Sequence, residues 1–169
     1  MSLQPAPISP KRIQPPPQPK APATISAQPV LETEDAAKAT LKLADEYKKA
    51  AGMLYAAARK KDALSLAPWR LLAIHAIELY LNAFLISKGS TGKALRCMQH
   101  NFGDRAKLAL DAKLVLKKKT ADHLISITKK REYVVSRYDA GAEAEFSKIS
   151  RLTATLDEVS AKVTATIAT

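Results

Sequence analysis

The sequence predicts an all-α protein: an up-and-down bundle of four to five helices behind a disordered N-terminal arm. Three observations lead to this prediction. Only 5% of the 169 residues are aromatic and five are Gly, while Ala, Leu and Lys, all good helix formers, are frequent. Nine of the ten prolines lie within the first 29 residues. Beyond residue 33, apolar residues recur at the three- and four-residue spacing of a helix face.

The first segment, residues 1–33, is interpreted as a flexible arm. Proline fixes φ and removes a backbone donor, so neither a helix nor an inner strand can run through so dense a series. The run Pro16-Pro17-Gln18-Pro19 has the spacing of a polyproline II ligand, but short Pro-rich tails are more often linkers. We therefore divide the chain into an arm of residues 1–33 and a helical bundle of residues 34–169.

Two long helices are predicted after the arm. Glu34 and Asp35 suit the positive end of a helix dipole, and we expect the first helix to begin there. Residues 62–67 are predicted to form a loop. Pro68 is well placed for the first turn of a second helix, over about residues 69–88. This second helix is apolar almost all round, so we expect it at the centre of the bundle or at a subunit interface.

Three further helices are predicted beyond a loop of residues 89–100. Asn101 or Asp104 is expected to cap the third helix. The fourth is predicted over about residues 120–139, with Gly141 as its stop, and the fifth from about Glu143. The fifth shows six apolar residues at helical spacing, which are Phe146, Ile149, Leu152, Leu156, Val159 and Val163.

Composition argues against several classes of protein. Cys97 is the only cysteine, which rules out an intrachain disulfide and favours a reducing compartment. No Cys/His group has the spacing of a zinc site, no glycine loop is built to cradle phosphates, and no Ser/His/Asp set suggests a triad, so we expect neither a metal nor a cofactor. The longest apolar run, residues 71–86, is interrupted by polar residues and is expected to be too short to cross a membrane. Without a secretory signal pattern at its start, the protein is expected in the cytoplasm.

The positive charge is concentrated in one part of the chain. The formal net charge is +11, and residues 93–137 contain twelve bases and only four acids. Such a concentration favours a polyanionic partner. For the three lysines at 117–119, a solvated face is the simpler interpretation.

A candidate binding site lies near the end of the predicted fourth helix. Bases interleaved with aromatic residues suit phosphates and nucleobases. Four residues there form what we call the basic cluster: Lys130, Arg131, Arg137 and Tyr138. A solvated basic face is again the alternative. His123, earlier on the same predicted helix, is expected at the surface.

A structural polar pair is also predicted. On the fourth predicted helix, Arg131 lies in an otherwise apolar stripe formed by Leu124, Ile127, Val134 and Tyr138. A buried charge without a partner is costly, so Arg131 must reach water or an acid. The second helix offers Glu78, its only carboxylate, on a stripe with His75 and Asn82. We predict that Glu78 and Arg131 meet across the helix interface, directly or through Asn82 or His75. The contact would either fix helix register or form part of a functional cleft.

Three stretches within residues 50–139 carry a family pattern. Residues 73–85 read Ala-Ile-His-Ala-Ile-Glu-Leu-Tyr-Leu-Asn-Ala-Phe-Leu, His100-Asn101-Phe102 stand at the entrance to the third helix, and Arg131 through Arg137-Tyr138-Asp139 end the fourth. Together these stretches resemble the HEPN superfamily of helical domains from prokaryotes and higher eukaryotes. The resemblance implies an up-and-down helical bundle that is commonly a homodimer.

The same resemblance implies a range of functions. The family includes metal-independent ribonucleases, toxins and nucleotide-binding or accessory modules. Its ribonucleases carry an arginine, four to six further residues and then a histidine. Here five residues separate Arg131 from Arg137, which stands where the histidine would align, and only three separate Arg96 from His100. Asn82 also occupies the place of a lysine usual in the second helix, so we expect no catalysis.

Three functional hypotheses follow. The favoured one is a non-catalytic HEPN-like module that binds a nucleotide, RNA or another phosphate-bearing ligand through the basic cluster. The second is a metal-independent endoribonuclease or toxin-type ribonuclease that uses His100 with Arg96 or Arg131. The third is a protein-interaction partner in a toxin–antitoxin or nucleotidyltransferase pair. We expect the protein to form a homodimer. We expect no association with a membrane.

Overall fold

The structure is a computed structural model that describes residues 30–59, 62, 64–138 and 146–168. Within these ranges it contains seven α-helices and no strand. The helices are α1 (Val30–Ala57), α2 (Ala67–Ser87), α3 (Gly92–Cys97), α4 (Phe102–Asp111), α5 (Lys118–Lys129), α6 (Glu132–Tyr138) and α7 (Ile149–Ile167), and a 3₁₀ turn, Leu64–Leu66, precedes α2. The predicted all-α bundle is confirmed. Most of the predicted arm, residues 1–29, lies outside the described residues, and α1 begins four residues before the expected start at Glu34.

The second helix lies at the centre of the bundle, as predicted. It packs against α1, α7, α4 and α6, and its buried side chains come from all sides of the helix, among them Ala73, Ile77, Tyr80, Leu81 and Phe84. Pro68 occupies the first turn of α2. Gly89 follows the helix with φ of 90°, a conformation that favours glycine at a helix end.

The apolar character of α2 is explained by its neighbours. By length and composition the stretch Leu64–Ser87, with a mean hydropathy of 1.3, could cross a membrane. The expectation that the apolar run here is too short to cross a membrane is therefore wrong by this criterion. However, 61% of that window is buried inside the bundle. The core helix of a helical bundle meets the same criterion, because its neighbours replace water on every side.

The α1 helix runs antiparallel to α2 along most of its length. Near the middle of α1, Tyr80 donates a hydrogen bond to Asp45 Oδ1 at 2.6 Å. Near its end, the rings of Tyr55 and Trp69 lie 5.4 Å apart. Residues early in α1 therefore face the end of α2, and residues late in α1 face its beginning.

The predicted fourth helix is broken into two. The α5 helix ends at Lys129 and α6 begins at Glu132, because Arg131 between them adopts a left-handed φ of 51°. The Lys130 and Arg131 N–H groups donate to Ser126 O and Thr128 O at 3.0 Å each, which closes α5 as a helix C-terminus. The prediction of one helix with Arg131 in a continuous apolar stripe is therefore wrong.

Two other boundaries show how caps set the helices. The loop predicted over residues 89–100 contains α3, whose first turn is capped by Thr91 Oγ1 accepting from Ala94 N at 3.1 Å. Asn101 caps α4 as predicted, because its Oδ1 accepts from Asp104 N at 3.0 Å. The predicted stop at Gly141 and start at Glu143 lie outside the described residues, and α7 begins at Ile149.

A buried polar network connects α2, α5, α6 and α7. Glu132 is fully buried and accepts hydrogen bonds from Arg70 and Ser147. His123, expected at the surface, is instead 7% exposed, with Nδ1 2.7 Å from Thr155 Oγ1 and Nε2 2.7 Å from Ser147 Oγ. The expectation for His123 is wrong because Thr155 of α7 and Ser147 cover that face of α5. Burial lowers the pKa of His123 to about 4, so the ring is neutral near pH 7.

Candidate functional site

An open cleft of about 680 Å³ lies between the second half of α2, α3 and the start of α4, with Thr40 of α1 at one side. We call it the central cleft. The polar and charged side chains that line it are Thr40, Glu78, Asn82, Arg96, Gln99, His100 and Arg105. It therefore combines cationic, carboxylate and imidazole groups on three elements.

The carboxylate of Glu78 is the anchor of the cleft. Its Oε1 lies 3.0 Å from Arg105 Nη2, and its Oε2 lies 3.0 Å from His100 Nδ1. Arg131 is exposed in the turn between α5 and α6. The predicted pair of Glu78 with Arg131 is therefore wrong, and Arg105 takes the place assigned to Arg131.

Arg105 fixes three elements around this carboxylate. Its side chain is only 2% exposed. Besides Glu78, Nε donates to Asn82 Oδ1 at 2.8 Å and Nη2 donates to Leu95 O at 3.0 Å; Nη1 lies 3.3 Å from Asn101 O. A buried ion pair is stable only when its remaining donors are satisfied, and these contacts meet that condition while joining α2, α3 and α4.

The charge of Glu78 determines which ring nitrogen of His100 carries the proton in the neutral ring. Burial of the Glu78 carboxyl opposes ionisation, but His75, His100 and Arg105 more than offset burial and hold its pKa below the usual value. Because a carboxylate only accepts hydrogen bonds, Nδ1 of His100 donates to Glu78, and in the neutral ring Nε2 keeps its lone pair. The His100 side chain is 40% exposed, so its ring is accessible from the cleft.

Arg96 supplies a second accessible group in the cleft. It is exposed near the end of α3. A Cβ added at Gly92 would lie 3.3 Å from Arg96 Nη1, so Gly92 leaves room for the guanidinium against the first turn of α3. With Glu78 neutralised by Arg105, the charge of Arg96 is not cancelled by the other groups that line the cleft. The cleft therefore presents an accessible cation beside an oriented imidazole.

The basic cluster lies outside the central cleft. Lys130, Arg131, Arg137 and Tyr138 are all exposed, Tyr138 to 82%. In the described part of the chain, none of them lines the cleft with His100 and Arg96. The connection runs through Tyr133 of α6, whose ring lies 4.8 Å from that of His100. Arg137 follows Tyr133 by one helical turn, so α6 places it on the same side of the helix as the cleft contact.

Sequence reasoning missed Arg105 and the contact between Tyr133 and His100. A signal for Arg105 was present: it stands among Phe102, Ala106 and Ala109, which recur at helical spacing and are buried, and a charge in such a stripe needs a partner. The tilted ring contact of Tyr133 with His100 had no sequence signal, because it depends on the turn at Arg131. Within the described residues, no group of three or more His, Cys, Asp or Glu side chains is placed to hold a metal ion.

Comparison of the chain with protein-family models, with curated proteins and with solved structures finds no match. The resemblance to the HEPN superfamily stays a prediction from the sequence motifs. The geometry of the central cleft and its surroundings is therefore the basis for assigning a function.

Proposed function

We propose that the central cleft binds a phosphate-bearing ligand, a nucleotide or RNA, without cleaving it. The observation that supports this proposal is that Arg96 and His100, both accessible, line one open cleft whose carboxylate is already paired with Arg105. Arginine matches the oxygen geometry of phosphate through paired N–H donors. An anion in the cleft would gain these donors without displacing the ion pair.

The surroundings of the cleft favour the same class of ligand. The segment that contributes α3 to α6 contains most of the excess positive charge of the chain. A field of this sign raises the local concentration of polyanions and speeds their association. Binding is therefore expected to weaken as salt increases.

We assign the basic cluster an outer role in this binding. Tyr133 connects His100 to α6, and Arg137 and Tyr138 lie further along the same helix. A ligand larger than one phosphate group that is seated in the cleft extends over α6, where exposed Tyr138 offers a stacking surface and Arg137 a phosphate contact.

The proposal is tested by titrating the protein with a fluorescent nucleotide and with a labelled unstructured oligoribonucleotide at several salt concentrations. Arg96→Ala is expected to weaken binding of both ligands about tenfold, since a hydrogen-bonded charge contact contributes roughly 1.5–3 kcal/mol. Arg137→Ala is expected to weaken only the oligonucleotide and to lower its salt slope by about one.

Lys107→Ala is the matched control, because Lys107 is an exposed base on α4 that does not line the central cleft. It should change affinity less than twofold. If Arg96→Ala binds both ligands as the wild-type protein does, the central cleft is not the binding site. If all three variants lose affinity equally, binding reflects net charge alone.

RNA cleavage is the second candidate, favoured by the 3.0 Å contact between His100 Nδ1 and Glu78. A neutral Nε2 oriented in this way can accept the proton of a ribose 2′-hydroxyl as its oxygen attacks the adjacent phosphorus. The 5′-oxygen would then leave with a proton from water, and Arg96 would stabilise the charge on the phosphate.

We nevertheless expect no cleavage above background, because Arg137 stands where the ribonucleases that the chain resembles carry a histidine. The measurement is gel analysis of unstructured RNA incubated with purified protein in the presence of a chelator. Cleavage that His100→Ala abolishes and Lys107→Ala preserves would make ribonuclease activity the leading function.

A further inference from the structure

A second basic surface lies between the start of α5 and one face of α7. This groove has a volume of about 810 Å³ and shares no lining residue with the central cleft. We call it the α5–α7 groove. Four bases and two acids line it, namely Lys117, Lys119, Arg151, Lys162, Asp157 and Glu158.

Both acids of the α5–α7 groove already have partners. Glu158 Oε1 accepts from the Lys117 backbone N–H at 2.6 Å, and Oε2 accepts from Thr120 Oγ1 at 2.8 Å. Burial of the Glu158 carboxyl opposes ionisation, but these hydrogen bonds, with the nearby charges of Lys117 and Arg151, outweigh it and lower the pKa. Asp157 Oδ1 lies 3.3 Å from Lys48 Nζ. The two carboxylates are therefore committed to α5 and α1.

The four bases of the groove, in contrast, form no ion pair with a carboxylate of the described residues. Arg151 is the most telling of them. Its Nη2 lies 3.2 Å and 3.3 Å from the hydroxyls of Thr155 and Thr120, and its Nε is buried with no acceptor. A partly buried guanidinium with only neutral, long contacts is incompletely satisfied, and its terminal nitrogens still have N–H donors to offer to an anion in the groove.

The lining of the groove defines the class of anion. No aromatic side chain lines it among the described residues, so it offers no surface on which a nucleobase can stack. Lysine ammonium groups act as point charges without a fixed contact geometry. Three lysines around one arginine suit several adjacent phosphates better than a single one, and the groove extends along α7 to Lys162.

We propose that the α5–α7 groove binds an oligophosphate, a chain of linked phosphates such as inorganic polyphosphate or the phosphate tail of a nucleoside triphosphate. Lys119 and Lys162 contact the outer phosphates and Arg151 contacts an inner one. This site is separate from the central cleft and does not depend on the function proposed there.

The test is isothermal titration of the full chain with inorganic tripolyphosphate, in an Arg96→Ala background that weakens binding in the central cleft. The double variant Lys119→Ser/Lys162→Ser should reduce affinity at least about tenfold. Lys42→Ser/Lys107→Ser removes the same charge from exposed positions outside the groove and should reduce it less than twofold. Neither pair is buried, so both variants are expected to fold.

Parallel titrations with ATP and AMP distinguish the sources of the phosphates. ATP binding that matches tripolyphosphate, with AMP much weaker, supports the site as a receptor for nucleotide tails; tripolyphosphate binding without ATP binding supports free polyphosphate. The proposal is overturned if tripolyphosphate does not bind, or if both double variants lose the same affinity. A failure here leaves the measurements on Arg96 unaffected.

Discussion

Arg105 is a single residue on which three helices depend. Arg105→Met keeps a long apolar side chain but removes the guanidinium, which leaves the buried Glu78 carboxylate with only its histidine contacts. We expect the free energy of unfolding to fall by about 3 kcal/mol, because loss of one partner strands the other charge. Urea unfolding monitored by circular dichroism measures this change.

The control for this prediction is Arg131→Met, at the position to which the sequence assigned the pairing role. Arg131 is exposed, so the free energy of unfolding should change by less than about 0.5 kcal/mol. Recovery of part of the loss in Glu78→Gln/Arg105→Met would identify the stranded carboxylate as the cause. Equal losses in the two methionine variants would contradict the assignment.

His123 makes stability depend on pH. Its pKa is about 4 in the folded protein and 6.5 as its ordinary value, so between these values the unfolded chain binds the additional proton. The stabilising contribution of neutral His123 to the free energy of unfolding is therefore fully present above pH 6.5 and is lost as the pH falls toward 4. Between pH 7 and pH 5 we expect a loss of about 2 kcal/mol.

Thermal and urea unfolding at pH 7, 6 and 5 measure this dependence. The carboxyl pKa values of Glu78 and Glu158 are lowered from the ordinary value of 4.5. Both carboxyls therefore titrate below this pH window and contribute little to the change in stability within it. His123→Gln removes the titrating group while keeping a donor and an acceptor, and it should lose most of the pH dependence. The same slope in the variant and the wild-type protein would exclude His123 as its source.

Among the helices, the break between α5 and α6 offers a prediction of its own. Arg131 adopts φ of 51°, a conformation that costs a side-chain-bearing residue about 1 kcal/mol relative to glycine. Because Arg131 is exposed, Arg131→Gly should raise the free energy of unfolding by up to that amount. Lys129→Gly, at the last residue of α5, should instead lower it by up to about 1 kcal/mol. A loss of stability in both variants would mean that the left-handed turn carries no strain.

The long helices could be predicted because one residue pattern dominated each of them. Pro68, a run of apolar residues and Gly89 defined α2 and its central position. The break at Arg131 could not be predicted, because Lys-Lys-Arg-Glu contains no glycine or proline and its turn is held by backbone hydrogen bonds. The short α3 was missed although Thr91 is a good N-cap residue, because six residues show too little periodicity.

The central cleft could be predicted only in part. Glu78, Asn82 and His100 were recognised as candidates, and the pairing of Glu78 with an arginine was correct in residue type. The partner was misidentified because Arg131 was placed on a helix that ends before it. Correct pairing required the angle between α2 and α4, which depends on packing throughout the core and not on local spacing.

For the molecule as a whole, the expected homodimer is best tested on α1. The buried position of α2 removes the original reason for placing it at an interface. On α1, however, Ala36, Ala39, Leu43, Ala50 and Met53 recur at spacings of three, four, seven and three, with Glu46 as the one charged position in the stripe, and Leu43 and Met53 are 49% and 67% exposed. Such a stripe matches the seam of paired helices, which favours association with a second copy.

Light scattering at tens of micromolar protein should therefore report a dimer. Leu43→Glu/Met53→Glu should shift it to a monomer with little change in the thermal unfolding of the monomer itself, since both side chains are exposed. Lys42→Glu/Lys49→Glu, at exposed positions beside the stripe, should leave the dimer in place. A monomeric wild-type protein would contradict the prediction.

The α7 helix supplies hydrogen-bond partners for residues of α1 and α5, and this has a consequence for synthesis on the ribosome. Thr155 contacts His123, Glu158 caps the start of α5, and Ser160 accepts from Lys48. At about 5–20 residues per second, the residues between α5 and the end of α7 take several seconds to appear. During that interval the nascent chain exposes the side of α2 that α7 later covers. Chaperone binding to this protein should therefore be concentrated in that interval of its translation.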